Sequence, residues 1–413
     1  MKNELSRSRA GAAERRLPSA ARTTSPLYMD YNAHAPMDPA VRGRMTSAYE
    51  EFDANPHATS MEGEAALGAV TEARGEVANL IGARPNDIVF TSGATEANNL
   101  ALLGIADHLE AAGRRTVLVS AGEHPSVLRA ADHLGARGYA VRRAPFRRDG
   151  QLDMERFDTL LDHTVGLVSI AAVNHEIGAV QPIADIASRV RAVGALLHSD
   201  LAQAAGKVDL DAAWFDLGSL SAHKFSGPIG IGALYVSRPL RRVMRALQLG
   251  GGQEGGLRAG TLSAPLCIGF GVACAVARQA MPEEAARVAE LRDRLLAGLG
   301  KLGGVQVNGG LRRRLPGNLN VTIRGVDAEA LVLRVRPWLS IATGSACTTQ
   351  SLEPSHVLLA LGLNREEAES AVRISLGRFT TEAEVDLGVD ILADAVNVLR
   401  RVAGRSLYPV AVQ

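Results

Sequence analysis

Residues 219–236 read SLSAHKFSGPIGIGALYV, and the lysine at position 224 decides how the rest of the chain is interpreted. Of the 45 basic residues in 413, only Lys2, Lys207, Lys224 and Lys301 are lysines; the others are arginines. Lys224 stands in an apolar, glycine-rich run, where burying a charge is costly. Arginine stays protonated at any accessible pH, whereas a desolvated lysine can shed its proton and become an amine nucleophile. A lysine placed there, at the end of an apolar strand-like run, marks a candidate reactive site.

Composition sets the broad class. The chain is 46% apolar and 22% charged with a net charge of +1, as expected of a soluble globular protein with room for a large core. A balanced charge advertises no surface for polyanions, so no direct nucleic-acid binding is expected. The longest apolar stretch, APLCIGFGVACAVA at 264–277, is shorter than the ~20 residues a membrane span needs and reads as a buried helix, so no membrane partner is expected. Three cysteines exclude a disulfide framework and point to a reducing, cytoplasmic setting. Cys267 and Cys274 fall on one face of that apolar helix and read as core residues. Cys347 alone has polar company: Gly344 and Ser345 before it, and Thr348, Thr349 and Gln350 after it, favour a loop. Residues 1–26 lack apolar periodicity and read as a disordered tail.

From about 65 to 240, β-rich runs alternate with helical stretches. Strands are expected at 87–92, 115–120, 165–173, 195–200, 215–221 and 231–237, with helices at 95–112 and 182–194 between them. That alternation predicts an α/β fold whose mostly parallel sheet is covered on both faces. Beyond it, PEEAARVAELRDRLLAGLG at 282–300 is an amphipathic helix, followed by weaker strands around 303–323 and 330–342 and then two helices. The division expected is a large α/β domain over 27–280, with 27–40 able to pack on the second unit, and a smaller α+β domain over 281–413.

In such sheets ligands bind beyond the carboxyl ends of the strands. The polar residues there are Ala94 and Thr95 after the 87–92 run, Glu123 and His124 after 115–120, and Asn174, His175 and Glu176 after 165–173. Asp200, with Gln203 a turn later, follows 195–200; Ser221, His223 and Lys224 close the 215–221 run. Each alone suits a capped turn or a loop contact. Together they match the needs of pyridoxal 5′-phosphate: an amine to bond its aldehyde, a carboxylate to keep its pyridine nitrogen protonated, and a phosphate cradle at a helix N-terminus.

Eight blocks in order carry a resemblance to a known family: MDYNAHAPMDP, IVFTSGATEANNLAL, VNHEIGAVQPI, HSDLAQAAGK, SAHKFSGPIGIGALYV, GGGQEGGLRAGT, GSACTTQSLEPSHVLLALGL and VRISLGRFTTEAEVD. Over about 27–390 the chain resembles the NifS-like cysteine desulfurases, fold-type I enzymes of the class V aminotransferase superfamily. The block ATGSACTTQSLEPSHVL at 342–358 also resembles the desulfurases of bacterial DNA phosphorothioation systems. The resemblance implies that Lys224 bonds the cofactor covalently, Asp200 pairs with its pyridinium, Gln203 contacts the ring hydroxyl, and His124 stacks on the ring and helps to move protons. It implies that Ala94, Thr95, Ser221 and His223 hold the phosphate, with Thr261 reaching the cofactor of the second subunit of a homodimer. Arg373, with Asn32 and His175 nearby, would take the substrate carboxylate. Cys347 would receive sulfur from L-cysteine as a persulfide, leaving L-alanine, and pass it to an acceptor protein serving iron–sulfur assembly, tRNA thiolation or DNA sulfur modification.

Three of the blocks depart from the family pattern, at four positions. His175 stands where a second asparagine is usual, Gly255 where an arginine is usual, and Asn32 and His34 where small hydroxyl residues are common. Selenocysteine lyase would keep the same residues, a class V transaminase would make Cys347 incidental, and a non-enzymatic scaffold would leave Lys224 and Asp200 without purpose. GGGQEG at 250–255 fits a dinucleotide fingerprint by spelling only, because it follows RRVMRALQLG, which reads as helical, rather than a strand.

Overall fold

The computed structural model describes residues 26–343 and 353–404. A first short strand, β1 (Leu27–Tyr28), leads into the helices Pro39–Glu51 and Met61–Leu80. The main sheet follows: β2 (Ile88–Thr91), β3 (Thr116–Ser120), β4 (Ala140–Ala144), β5 (Val165–Ser169), β6 (Leu196–Asp200), β7 (Leu217–Ser221) and β8 (Gly232–Val236). Its spatial order is β2-β8-β7-β6-β5-β3-β4; only β8 runs against its neighbours. The strands β2, β3, β5, β7 and β8 are buried along their whole length, which explains their unbroken apolar spelling. One strand of this sheet escapes the sequence reading. β4, AVRRA, is the edge strand, and its two arginines face solvent or the rim instead of a core.

β8 can run antiparallel because the chain reverses immediately after β7. A 3₁₀ turn, Ala222–Phe225, ends at Ser226 with φ +65°, a left-handed residue that bends the chain back toward β8. Lys224 sits in that turn. A Cβ at Gly232 would strike the Leu220 carbonyl and lie 2.7 Å from Gly93 Cα, so only glycine lets β8 pass between them. This packs the end of β7 against the start of the helix Ala94–Gly104.

The second unit is built on β9 (Val305–Val307), β10 (Asn318–Ile323), β11 (Leu339–Ser340), β12 (Ala342–Thr343) and β13 (Ala371–Ser375), with β12-β13-β10-β9 forming an antiparallel sheet. β1 pairs in parallel with β11, so Leu27 and Met29 join the core of this unit. The helix over 264–300 is continuous through Pro282 and serves both units: Cys267, Phe270, Cys274 and Ala277 enter the core under the main sheet, and Val288, Leu291, Leu295 and Leu299 enter the second core. By length and apolarity it could cross a membrane, yet more than half of its most apolar window is buried inside the protein.

Three sequence readings change. The stretch 330–335 is helix, Ala328–Val335, capped by Asp327 accepting from the Ala330 N–H; Ala328, Leu331 and Val335 at helical spacing are the buried residues. The stretch after 240 is helical only as a 3₁₀ turn, Leu240–Arg242. β13 was not anticipated: its five residues, AVRIS, are fully buried despite an arginine at the centre.

Candidate active site

Asp200 ends β6 with both carboxylate oxygens hydrogen-bonded and acceptor capacity to spare. Oδ1 accepts from the Ala202 N–H at 2.9 Å and Oδ2 from Asn98 Nδ2 at 2.8 Å. Beneath it, the buried His198 ring bridges Ser169 and Ser219 at 2.7 and 3.0 Å, and burial pushes its pKa down to about 4. These neutral contacts fix the strand end that carries the carboxylate.

Lys224 Nζ donates to the carbonyl oxygens of Asn32 and Ala33, both at 2.9 Å. Gln203 Nε2 donates to the same Asn32 oxygen at 2.8 Å. The segment after β1 therefore lies against both side chains, with the backbone of Asn32 as the common point. Lys207, a turn beyond Gln203, donates to its Oε1 at 3.3 Å, and burial together with Lys224 lowers its pKa to about 7.

The helix Ala94–Gly104 begins at Gly93 with no side-chain cap, leaving the first N–H groups of Ala94 and Thr95 directed out of the helix end. Ser221 Oγ lies 3.8 Å from where a Cβ of Gly93 would stand, and 3.2 Å from His223 Nδ1. Burial, followed by the Lys224 charge, holds His223 down at about 4. Thr261 is exposed, on a loop tied down at two points. Arg258 Nε reaches Glu96 Oε1 at 3.0 Å, and the buried Glu254 carboxylate takes both terminal nitrogens of Arg74 at 2.6 and 2.7 Å and the Phe90 N–H at 2.6 Å. Gly255 adopts φ +67°, with Arg241 3.1 Å from where a Cβ would stand. That left-handed position suits glycine better than an arginine.

Three imidazoles line the opposite wall. His124 caps the helix Pro125–Ala136, with Nδ1 accepting from the Ser126 N–H at 3.2 Å. Its ring centre is 5.3 Å from that of His175, which is 6.4 Å from that of His356. Burial lowers all three pKa values, that of His175 furthest. Beside them Arg373 on β13 donates to Asp30 Oδ1 at 2.8 Å and the His175 carbonyl at 3.1 Å, while its buried Nε has no partner among the described residues. Asn32 Nδ2 also points at the His175 carbonyl, at 3.4 Å. A guanidinium with an unanswered N–H suits a carboxylate that arrives with the substrate.

Hydrogen bonds and ring contacts thus link Lys224 and Gln203 through Asn32, Asn32 and Arg373 through the His175 carbonyl, and His175 with His124, while Ser221 and His223 lie beside the uncapped start of the helix Ala94–Gly104. Cys347 lies outside the described residues. Sequence reasoning passed over Asn98, Ser126, Lys207, Glu254 and His356. Asn98 gave one signal, as a polar residue among the otherwise apolar buried positions of its helix. His356 lay in a quoted block without a role.

The class-V aminotransferase family matches residues 27–387, and the chain belongs to it. It is 42% identical to cysteine desulfurase IscS of Rickettsia felis over 382 residues, covering 92% of this chain and 93% of that protein. Among solved structures, a NifS-like protein superposes with a TM-score of 0.84 at 33% identity, covering 91% of this chain and all of the other. SspA in complex with cysteine gives a TM-score of 0.75 at 36% identity, covering 86% and 99%. Enzymes of this family use pyridoxal 5′-phosphate. The residues present fit that group: an uncapped helix end beside Ser221 and His223, an amine at Lys224, and a carboxylate at Asp200 held by two N–H donors.

Proposed function

We propose that the chain is a cysteine desulfurase, converting L-cysteine to L-alanine and passing the sulfur through a persulfide on Cys347 to an acceptor protein. The observation that carries this reading is the network of hydrogen bonds and ring contacts joining Lys224, Asn32, Arg373, His175 and His124, in a chain so similar to cysteine desulfurases. Bound there, pyridoxal phosphate would supply an aldehyde for an amine and a protonated pyridine ring that accepts electrons from the substrate α-carbon.

The chain's own groups divide the remaining work. Asp200 would hold the ring nitrogen protonated, and the donors from Asn98 and Ala202 keep its carboxylate oriented. Gln203 would meet the ring hydroxyl, while Ala94, Thr95, Ser221 and His223 would hold the phosphate. Arg373 would take the substrate carboxylate in two-point fashion, with Asn32 and His175 closing the pocket around it. Lys224, released to its amine form, would remove the α-proton, and His124 would serve proton movement on the opposite side. The Cys347 thiolate would then take the substrate sulfur.

The exposed loop bearing Thr261 suits a homodimer in which that hydroxyl completes the partner's phosphate site. Iron–sulfur assembly, tRNA thiolation and DNA sulfur modification are the destinations such a persulfide serves, and the cytoplasm is the compartment that suits a chain with only three cysteines. Incubating the holoenzyme with L-cysteine tests the reading. Alanine should form in step with transferable sulfur. A keto acid product would indicate a transaminase instead, and turnover confined to L-selenocysteine would indicate a selenocysteine lyase.

A further inference from the structure

Asn98 is completely buried in the helix Ala94–Gly104, and its one amide nitrogen serves two acceptors. It donates to Asp200 Oδ2 at 2.8 Å and to Ser126 Oγ at 2.9 Å. A primary amide has two N–H bonds, so this nitrogen is fully committed. The opposite orientation would set the amide oxygen against a carboxylate oxygen, acceptor against acceptor. Ser126 Oγ, having accepted from Asn98, directs its own hydrogen to the remaining neighbour, His124 Nδ1, at 2.8 Å. The Ser126 backbone N–H points at the same nitrogen at 3.2 Å and can only donate. Both contacts require a lone pair on Nδ1.

We propose that Asn98 and Ser126 are positioning residues that lock His124 as the Nε2–H tautomer and couple its orientation to Asp200, so that His124 meets a bound ligand as a hydrogen-bond donor toward an anionic acceptor atom. The inference rests on the function proposed above and deepens it. A ring free to exchange tautomers would present a lone pair at Nε2 part of the time. The chain Asp200–Asn98–Ser126–His124 removes that choice and ties the carboxylate under the cofactor site to the imidazole across it. The charged and titratable groups around His124 are Asp200, Lys224, His175 and His356. None of them is placed by a hydrogen bond to Nδ1, which belongs to Ser126 alone.

The test reads the tautomer directly, by nitrogen NMR of histidine-labelled holoenzyme, with the His124 signals assigned by their loss in His124→Gln. Wild type should show a protonated Nε2 and a bare Nδ1. Asn98→Leu removes both donors at similar volume; it should give mixed tautomers and lower kcat about tenfold with KM for L-cysteine little changed. Ser126→Ala keeps the Asn98–Asp200 bond and the backbone donor, and should shift the Nδ1 resonance and cost about threefold in kcat. Ser126→Thr, which restores a hydroxyl, should return both to wild type. A wild-type Nδ1–H tautomer would overturn the proposal, as would Ser126→Ala with unchanged Nδ1 resonance and turnover. The tautomer is read without turnover, so an enzyme inactive on L-cysteine would sink the proposed function while the resonances still decide this one.

Discussion

Gln203 and Lys224 meet on one atom: the Asn32 carbonyl oxygen accepts from Gln203 Nε2 at 2.8 Å and from Lys224 Nζ at 2.9 Å. The lysine that the sequence singles out is therefore also a structural donor, bridging Asn32 and Ala33. Lys224→Arg separates the two roles. A guanidinium can keep bonds to both carbonyls but cannot act as an amine nucleophile at neutral pH. The variant should fold with a Tm near wild type and hold no cofactor covalently, read as the absence of a cofactor adduct after borohydride reduction. An adduct at wild-type level would show that another amine serves.

Arg373 is held by Asp30 and the His175 carbonyl, and its buried Nε has no partner among the described residues. Arg373→Lys keeps the charge and loses the planar fork. KM for L-cysteine should rise on the order of 10²-fold, the scale of a lost charge-assisted hydrogen bond of ~3 kcal/mol, with cofactor content unchanged. A KM within twofold of wild type would assign the substrate carboxylate elsewhere.

Glu254 takes a left-handed conformation, φ +53°, that a non-glycine residue adopts at some cost. It is held there by Arg74 and the Phe90 N–H. Removing one partner of a buried pair leaves an uncompensated charge, so Glu254→Ala should lower unfolding free energy by about 3–5 kcal/mol in urea titration. Because the same loop carries Thr261, cofactor retention should fall with it. A loss under about 1 kcal/mol would mean that Arg74 finds solvent instead.

How much of this was legible varies with the range of the interaction. Lys224, Asp200 and His124 stand immediately after strand-like runs, so chain order alone placed them on one edge of the sheet. Asn98 reaches Asp200 across 102 positions and Arg74 reaches Glu254 across 180; no local pattern announces such pairs. β4 was missed because an edge strand needs no apolar alternation, and AVRRA has little. The segment 330–335 misled because LVLRV satisfies a strand and a buried helix equally, and only the Asp327 cap separates them.

Glu123 is fully buried, accepting from Ser120 Oγ and the Ala171 N–H on one oxygen while the other has no partner among the described residues. Burial raises its pKa from 4.5 to about 8. The folded state then holds a proton that the unfolded chain releases above pH 4.5, so this contribution to stability is complete below 4.5 and is lost as pH rises toward 8. Glu123→Gln has no such proton. Its urea midpoint, measured relative to wild type, should rise steadily from about pH 5 to about pH 8 and then level off. A difference independent of pH would show that Glu123 is ionised in the folded protein.

The central claim concerns where the sulfur goes. Cys267 and Cys274 are buried in the long helix, and burial pushes both thiols up, Cys267 to about 12, so neither offers a thiolate at neutral pH. Cys347 is the remaining cysteine of the three. The most direct measurement is the mass of each cysteine peptide after the holoenzyme has been mixed with L-cysteine, excess substrate removed, and thiols and persulfides alkylated. One added sulfur on Cys347, its loss in Cys347→Ser, and alanine release abolished in that variant are the predicted result. Alanine formed at the wild-type rate by Cys347→Ser, or the added sulfur found on Cys267 or Cys274, would contradict the account.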